Sequence, residues 1–477
     1  MTRPRPRIAV IVGATAIGLV GMGLAALLVG YGRAATPTIA GPVPHFADET
    51  ATAGVAFTSG GGFEYAVGGG VAVIDCNDDG RPDLYVSGGA TAAGLFRNDS
   101  PTGGALRFVP VHDPATDLEG VFGAYPIDID GDGHADLVVL RNGENVLLRG
   151  LGNCRFQRAN EVWGFAGGNR PTTAFSATWE GASTLPTMAF GRYADLESQD
   201  PTHLCYDNEL FRPAAGRLAY GSPIPLTPSW CALSMLFSDW DRSGRMDLRV
   251  SNDAHYYQLT DGEEQLWRIE AGRPPRLYAA ADGWVSLQLE GMGIASYDLT
   301  GDGYPDVYLT TQGANLLQTL TAGPSQPTYR DIGLKRGLNV TRPFTGPDTS
   351  LPSTAWHDEF ADVNNDGFID LFVSKGNVEN QPDYAQIDPS NLLLGSPDGT
   401  FREAAEAAGV LDVARGRGGA LVDFNLDGLL DLVEVHYRAP VRIWRNVGAG
   451  TAAAPAVLGN WMALRLQQAA PNVDAIG

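Results

Sequence analysis

The chain has 477 residues, 44% of them hydrophobic and only 18% charged, so it can bury a large core and is no disordered polyelectrolyte. Asp and Glu (55) outnumber Lys and Arg (33), giving a formal net charge of -22; the basic footprint of a nucleic-acid binder is missing. Sixty Gly and 31 Pro favour many short strands and turns over long helices, and they exclude a coiled coil.

Residues 1–36 read as an export segment. Arg3, Arg5 and Arg7 precede Ile8 to Gly30, a run of 23 residues without a charge. A signal-peptide core needs ~7–15 apolar residues and a membrane-spanning helix ~20, so the length favours an uncleaved anchor. The arginines before it place the N-terminus inside and the body outside. The competing reading is a signal peptide cleaved after Ala34 or Ala35. Residues 37–44 follow as a linker. Four cysteines, Cys76, Cys154, Cys205 and Cys231, suit an oxidising compartment and two bridges. Of the three possible connectivities, Cys76–Cys154 with Cys205–Cys231 is favoured, because each pair would join neighbouring repeats.

The body is written as a repeat. Asp75, Asn77, Asp79 and Asp83 stand at positions 1, 3, 5 and 9 of a loop with Gly80 at position 6. The pattern returns as Asp128, Asp130, Asp132 and Asp136, then as Asp239, Asp241, Ser243 and Asp247. Asp298, Thr300, Asp302 and Asp306 follow, then Asp362, Asn364, Asp366 and Asp370, then Asp423, Asn425, Asp427 and Asp431. Glycine holds position 6 in every copy. A hard cation such as Ca²⁺ takes about 6–8 oxygens. Side chains at 1, 3 and 5 can converge on one point, glycine turns the chain, and position 9 closes the shell. Position 7 adds a backbone carbonyl, here from Arg81, His134, Arg245, Tyr304, Phe368 and Leu429. About six calcium sites, mainly structural, are thus expected, with weaker ones where Ser243 and Thr300 replace a stronger ligand. Six ions would move the formal charge from -22 to -10.

The flanks reject an EF-hand. Position 12 is Val86, Val139, Val250, Leu309, Val373 and Glu434, so the bidentate Glu is present only once. Runs such as Val71-Ala-Val-Ile and Leu137-Val-Val-Leu read as strands, making each loop a hairpin tip. First-Asp spacings of 53, 111, 59, 64 and 61 residues imply one ligand-free repeat within the long gap, around Phe175 to Phe190. Four strands per unit, seven times over, predict an all-β, seven-bladed propeller over residues 45–448. The last unit lacks its fourth strand after Asn446, and Phe46-Ala-Asp-Glu-Thr is expected to supply it and close the ring. No Gly-x-Ser-x-Gly elbow, Walker loop or His-Glu-x-x-His is present. Tyr125, Trp179, Trp230, Met292, His357, Asp358, Glu359 and Arg417 are candidates to line the channel mouth opposite the hairpin tips, either binding a ligand or simply packing.

At this point the sequence resembles the FG-GAP/VCBS-repeat propellers, and more closely the cartilage acidic protein family with its C-terminal ASPIC/UnbV domain. Gly291-Met-Gly-Ile-Ala-Ser-Tyr-Asp298, Trp356-His-Asp-Glu-Phe-Ala-Asp-Val-Asn-Asn-Asp-Gly367 and Gly459-Asn-Trp-Met-Ala-Leu-Arg-Leu466 carry the match, running to Pro471-Asn-Val-Asp-Ala-Ile-Gly477. The resemblance implies calcium in the loops and makes residues 449–477 the start of a β domain, with Trp461 to Leu466 as a strand. The resulting expectation is an exported, membrane-anchored, calcium-binding propeller that acts as a binding or scaffold module for an extracellular protein or glycan. The alternative is an extracytoplasmic polysaccharide lyase or hydrolase using the channel mouth, with Arg417 and Tyr125 as candidates.

Overall fold

The run Leu137 to Leu140 has no polar face, so the strand that carries it needs apolar neighbours on both sides. The computed structural model, which describes residues 41–195, 204–253 and 262–475, supplies them. Among these residues, 28 strands form seven four-stranded antiparallel sheets. Blade 1 runs outward through Val71–Ile74, Asp83–Val86, Gly94–Asn98 and Phe108–Val111. Blades 2 to 7 begin at inner strands Val121–Ile127, Thr172–Thr178, Ala232–Ser238, Gly291–Tyr297, Ala355–Ala361 and Gly416–Val422. Blade 3, which begins at Thr172–Thr178, is the ligand-free repeat. Second strands are sandwiched between adjacent blades; every residue of Asp83–Val86 and of Asp370–Lys375 is buried. Burying each such aliphatic side chain contributes ~1.5–3 kcal/mol, which explains why the core lies between blades rather than at one centre.

Blade 7 is closed as expected. Phe46–Asp48 pairs with Ala439–Asn446, setting Phe46 opposite Asn446 and Asp48 opposite Trp444. Both expected disulfides are present: Cys76–Cys154 joins blade 1 to blade 2, and Cys205–Cys231 joins blade 3 to blade 4.

Two expectations about the chain ends fare differently. Residues 8–30 lie outside the described residues; among the described ones, no helix is long and apolar enough to cross a membrane. The strand expected at Trp461 to Leu466 is a correction: this stretch forms no ladder, and Met462, Leu464 and Leu466 are exposed. It crosses hairpin tips rather than lying beside a strand edge. A side chain at Gly428 would collide with the Trp461 indole, and one at Gly459 with the Asn365 carbonyl. With no edge to donate ladder hydrogen bonds, β-propensity alone does not make a strand.

Candidate functional site: hairpin tips and channel mouth

The six acidic loops share one backbone. Position 6 is a glycine with φ between 79° and 92° in all of them (Gly80, Gly133, Gly244, Gly303, Gly367 and Gly428), a region open to glycine at no steric cost. Position 4 is left-handed too, at Asp78, Gly131, Arg242, Gly301, Asn365 and Leu426. Such a curl aims successive N–H groups inward, and the position-1 carboxylate caps them. Asp423 accepts from Asp427 N at 2.9 Å and from Gly428 N at 2.8 Å. Asp75 accepts from Asp79 N and Gly80 N at 3.1 and 2.9 Å. The other loops repeat this.

Position 9 anchors the tip to the blade. Asp370, fully buried, accepts Val363 N at 2.9 Å and Gly395 N at 2.8 Å, and Asp431 accepts Phe424 N and Asn446 N at 3.1 and 2.8 Å. One carboxylate thus ties loop position 2 to the third strand. Burial pushes the Asp83 carboxyl up to about 7, and those of Asp136 and Asp370 to about 8, against the downward pull of these donors. Neighbouring aspartates of the same loop add to the rise.

The donor set fits a hard divalent cation in most loops. Oxygens of Asp128, Asp130 and Asp136 lie within 4.8 Å of one another. In blade 7, Asn425 Oδ1 is buried without a hydrogen-bond partner, although the amide nitrogen donates to Asp427 Oδ2 at 3.0 Å. Asp130 Oδ1 is orphaned in the same way. An unpaired buried acceptor costs ~1–3 kcal/mol, which a cation would recover. Asp474, from the C-terminal stretch, accepts Asp128 N at 3.2 Å and brings another carboxylate to the blade 2 loop. The loop of blade 4 departs from this set, because Arg245 donates to Asp241 and Asp247. Glu434, the lone glutamate at position 12, accepts Ser374 Oγ and Ser390 Oγ at 2.6 Å each and stands 3.3 Å from His436 Nε2. It is therefore committed to the contact between blades 6 and 7.

Position 4 links neighbouring tips. Asp78 Oδ2 lies 2.8 Å from His134 Nδ1, Arg242 Nε donates to Gly303 O at 2.8 Å, and Asn365 Nδ2 donates to Gly428 O at 2.9 Å. These contacts couple blade 1 to 2, 4 to 5 and 6 to 7. The sequence carries no signal for them beyond polar residues at a turn.

At the other end, the ladder of each inner strand in blades 2 to 7 shifts register near its start. The displaced residues Phe122, Thr173, Leu233, Met292, Trp356 and Arg417 line a cavity of about 160 Å³. Tyr125 and His357 face the same cavity. Arg417 is buried and donates to the Ala66, Gly416, Asn377 and Val378 carbonyls at 2.5, 2.7, 3.1 and 2.7 Å. Its guanidinium lies 4.1 Å from the Trp356 ring centroid, and burial lowers its pKa to about 9. It acts as a bolt between segments. Trp179 sits one residue beyond the blade 3 inner strand, at the loop end rather than the mouth, and packs on the core between blades 2 and 3. Trp230, Asp358 and Glu359 are not among the cavity-lining residues. Asp358 is buried, and Glu359 Oε2 accepts Leu421 N at 3.0 Å.

Comparison with known proteins agrees with the repeat architecture. The FG-GAP-like repeat family matches residues 75–139 and 362–434. Cartilage acidic protein 1 of Mus musculus is 25% identical over 225 residues, 46% of this chain and 33% of that protein. Its Homo sapiens namesake is 46% identical over 57 residues, 12% of this chain and 9% of that one. The matched segments therefore span a third or less of these relatives. Among solved structures, BBS1N in complex with ARL6DN, soaked with mercury, aligns with a TM-score of 0.47 at 9% identity, covering 83% of this chain and 96% of that one.

Proposed function

We propose that this chain, a seven-bladed propeller carrying FG-GAP-like repeats, is an exported, calcium-stabilised scaffold that presents its blades to an extracellular protein or glycan. The observation that carries the calcium reading is the blade 7 loop. There Asn425 Oδ1 is buried without a donor, in a tip that also holds Asp423, Asp427 and Asp431. Asn77, Asp79, Asp132, Thr300, Asp302, Asn364 and Asp366 would serve the corresponding loops, together with their position 1 and 9 aspartates. Calcium there would offset carboxylate repulsion and stiffen each hairpin. Extracellular modules hold calcium at ~0.1–1 mM, which suits permanent occupancy outside a cell.

Export is supported by the two disulfides, which persist in oxidising compartments, and by the apolar run from Ile8 to Gly30 as a membrane anchor. A binding role is favoured over a reaction at the channel mouth because Arg417, the cation a lyase would need there, is spent on backbone carbonyls. The test is binding of the full chain to arrays of glycans and extracellular proteins with calcium and with EDTA. Specific retention that EDTA abolishes is expected. Turnover of a polysaccharide without stable retention would overturn the scaffold reading.

A further inference from the structure

In the acidic tip of blade 4, a residue of the loop itself turns its positive charge onto the carboxylates. Arg245, at position 7, donates from Nε to Asp247 Oδ1 at 2.9 Å and from Nη2 to Asp247 Oδ2 at 3.1 Å, a bidentate pair. The same Nη2 reaches Asp241 Oδ2 at 3.2 Å. Planar two-point contacts of this kind are strong and directional. Asp247, which is fully buried, also accepts Trp240 Nε1 at 2.9 Å, Tyr278 OH at 2.8 Å and Ile269 N at 3.1 Å. Five donors leave its two oxygens no free lone pair pointing inward. The equivalent Asp370 takes two backbone donors.

Position 7 is occupied differently elsewhere. It is Phe368 in blade 6, Leu429 in blade 7 and Tyr304 in blade 5. Arg81 of blade 1 is chemically the same residue, yet it turns outward to Ser100 O at 2.6 Å and Thr102 Oγ1 at 3.3 Å. In blade 2, Arg149 reaches Asp130 and Asp132, but that loop gathers Asp128, Asp130, Asp132, Asp136 and Asp474, so five acids against one base leave a formal charge of -4. Blade 4 has Asp239, Asp241 and Asp247 against Arg242 and Arg245, which leaves -1. Arg242 turns to Gly303 O of blade 5, so Arg245 is the base that meets the carboxylates, and Ser243 supplies no charge at position 5.

We infer that Arg245 is the resident counter-cation of the blade 4 tip, so that the 239–247 loop closes without a metal ion although its sequence announces one. This rests on the calcium reading of the other loops. Coulomb attraction between a guanidinium and two carboxylates replaces the cation, and the Trp240–Tyr278 pair, with ring centroids 6.2 Å apart, holds the buried Asp247 in place through two further hydrogen bonds. Blade 4 then keeps its tip when calcium is withdrawn, while the other tips fray.

The test counts calcium on the full chain by equilibrium dialysis against calcium chloride with elemental analysis. Asp423→Asn is expected to lose one ion per chain and Asp239→Asn none. Ser243→Ala, which alters an exposed hydroxyl and so spares the fold, is expected to lose none either. A loss of one ion in Asp239→Asn or Ser243→Ala overturns the inference and leaves calcium binding by the other loops intact. A wild-type chain that takes up no calcium overturns the underlying reading instead. Thermal melts give a second readout: Asp239→Asn lowers Tm equally in calcium and EDTA, whereas Asp423→Asn lowers it in calcium alone. A calcium-specific Tm loss in Asp239→Asn would also overturn it.

Discussion

Glu49 Oε1 and Arg445 Nε stand 2.8 Å apart, and both side chains are almost wholly buried at the seam of the ring. The other oxygen of Glu49 accepts Leu106 N at 2.7 Å. One carboxylate thus fastens the closing strand of blade 7, the third strand of that blade and the outer part of blade 1. Removing a single partner of a buried pair leaves an uncompensated charge and costs about 3–5 kcal/mol. Glu49→Ala should therefore lower unfolding free energy by that amount in urea titration. A loss below about 1 kcal/mol would show that strand pairing alone holds the seam.

Leu426 occupies the left-handed position 4 of the blade 7 tip, with φ of 55°. A β-carbon in that region costs roughly 1–2 kcal/mol, and Asn tolerates it best after glycine. Blade 6 already has Asn365 there. Leu426→Asn is expected to stabilise the chain by about 0.5–1 kcal/mol without altering calcium uptake, as read by the urea midpoint. Unchanged or reduced stability would mean that Leu426 packing outweighs the backbone strain.

Glu264 gives the pH dependence its sign. It is fully buried; Asn252 N donates to it at 2.9 Å and Ser251 Oγ at 3.2 Å, while Oε2 has no partner. Burial raises its pKa from 4.5 to about 7, opposed by the Asn252 donor, Arg249 and Ser251. The folded state thus holds a proton that the unfolded chain releases. Its stabilising contribution is complete below about pH 4.5 and is lost as pH rises to 7. Glu264→Gln should match wild type near pH 4.5 and exceed it at pH 8 by on the order of 2–3 kcal/mol. Asp253, raised to about 8 by burial, acts in the same direction. A Gln variant less stable at pH 8 would reverse the assignment.

Much of this architecture is legible in residue order, because glycine and carboxylates at fixed offsets encode a backbone curl independent of its neighbours. The Asp75 and Asp423 tips, the ligand-free blade around Phe175 and the closing strand at Phe46 all follow from that local code. The channel mouth does not. Its lining depends on register shifts that turn Met292, Trp356 and Arg417 toward the cavity, and a shift of one residue is invisible to a period-2 pattern. Trp179, a candidate for the mouth by its place in the repeat, lies one residue past its inner strand and so at the opposite end. The direction of an arginine is equally hidden. Arg81 and Arg245 share loop position 7, yet Arg81 turns out to Ser100 O while Arg245 turns in to Asp247, which Trp240 and Tyr278 also hold.

The most direct test is the thermal unfolding of the full chain in millimolar calcium chloride and in EDTA, paired with elemental analysis. Several sites, each filled about tenfold above Kd, should raise Tm by at least about 5 °C, with calcium recovered in multiple copies per chain. Identical melts, with no calcium retained, would contradict the claim that divalent ions hold the hairpin tips.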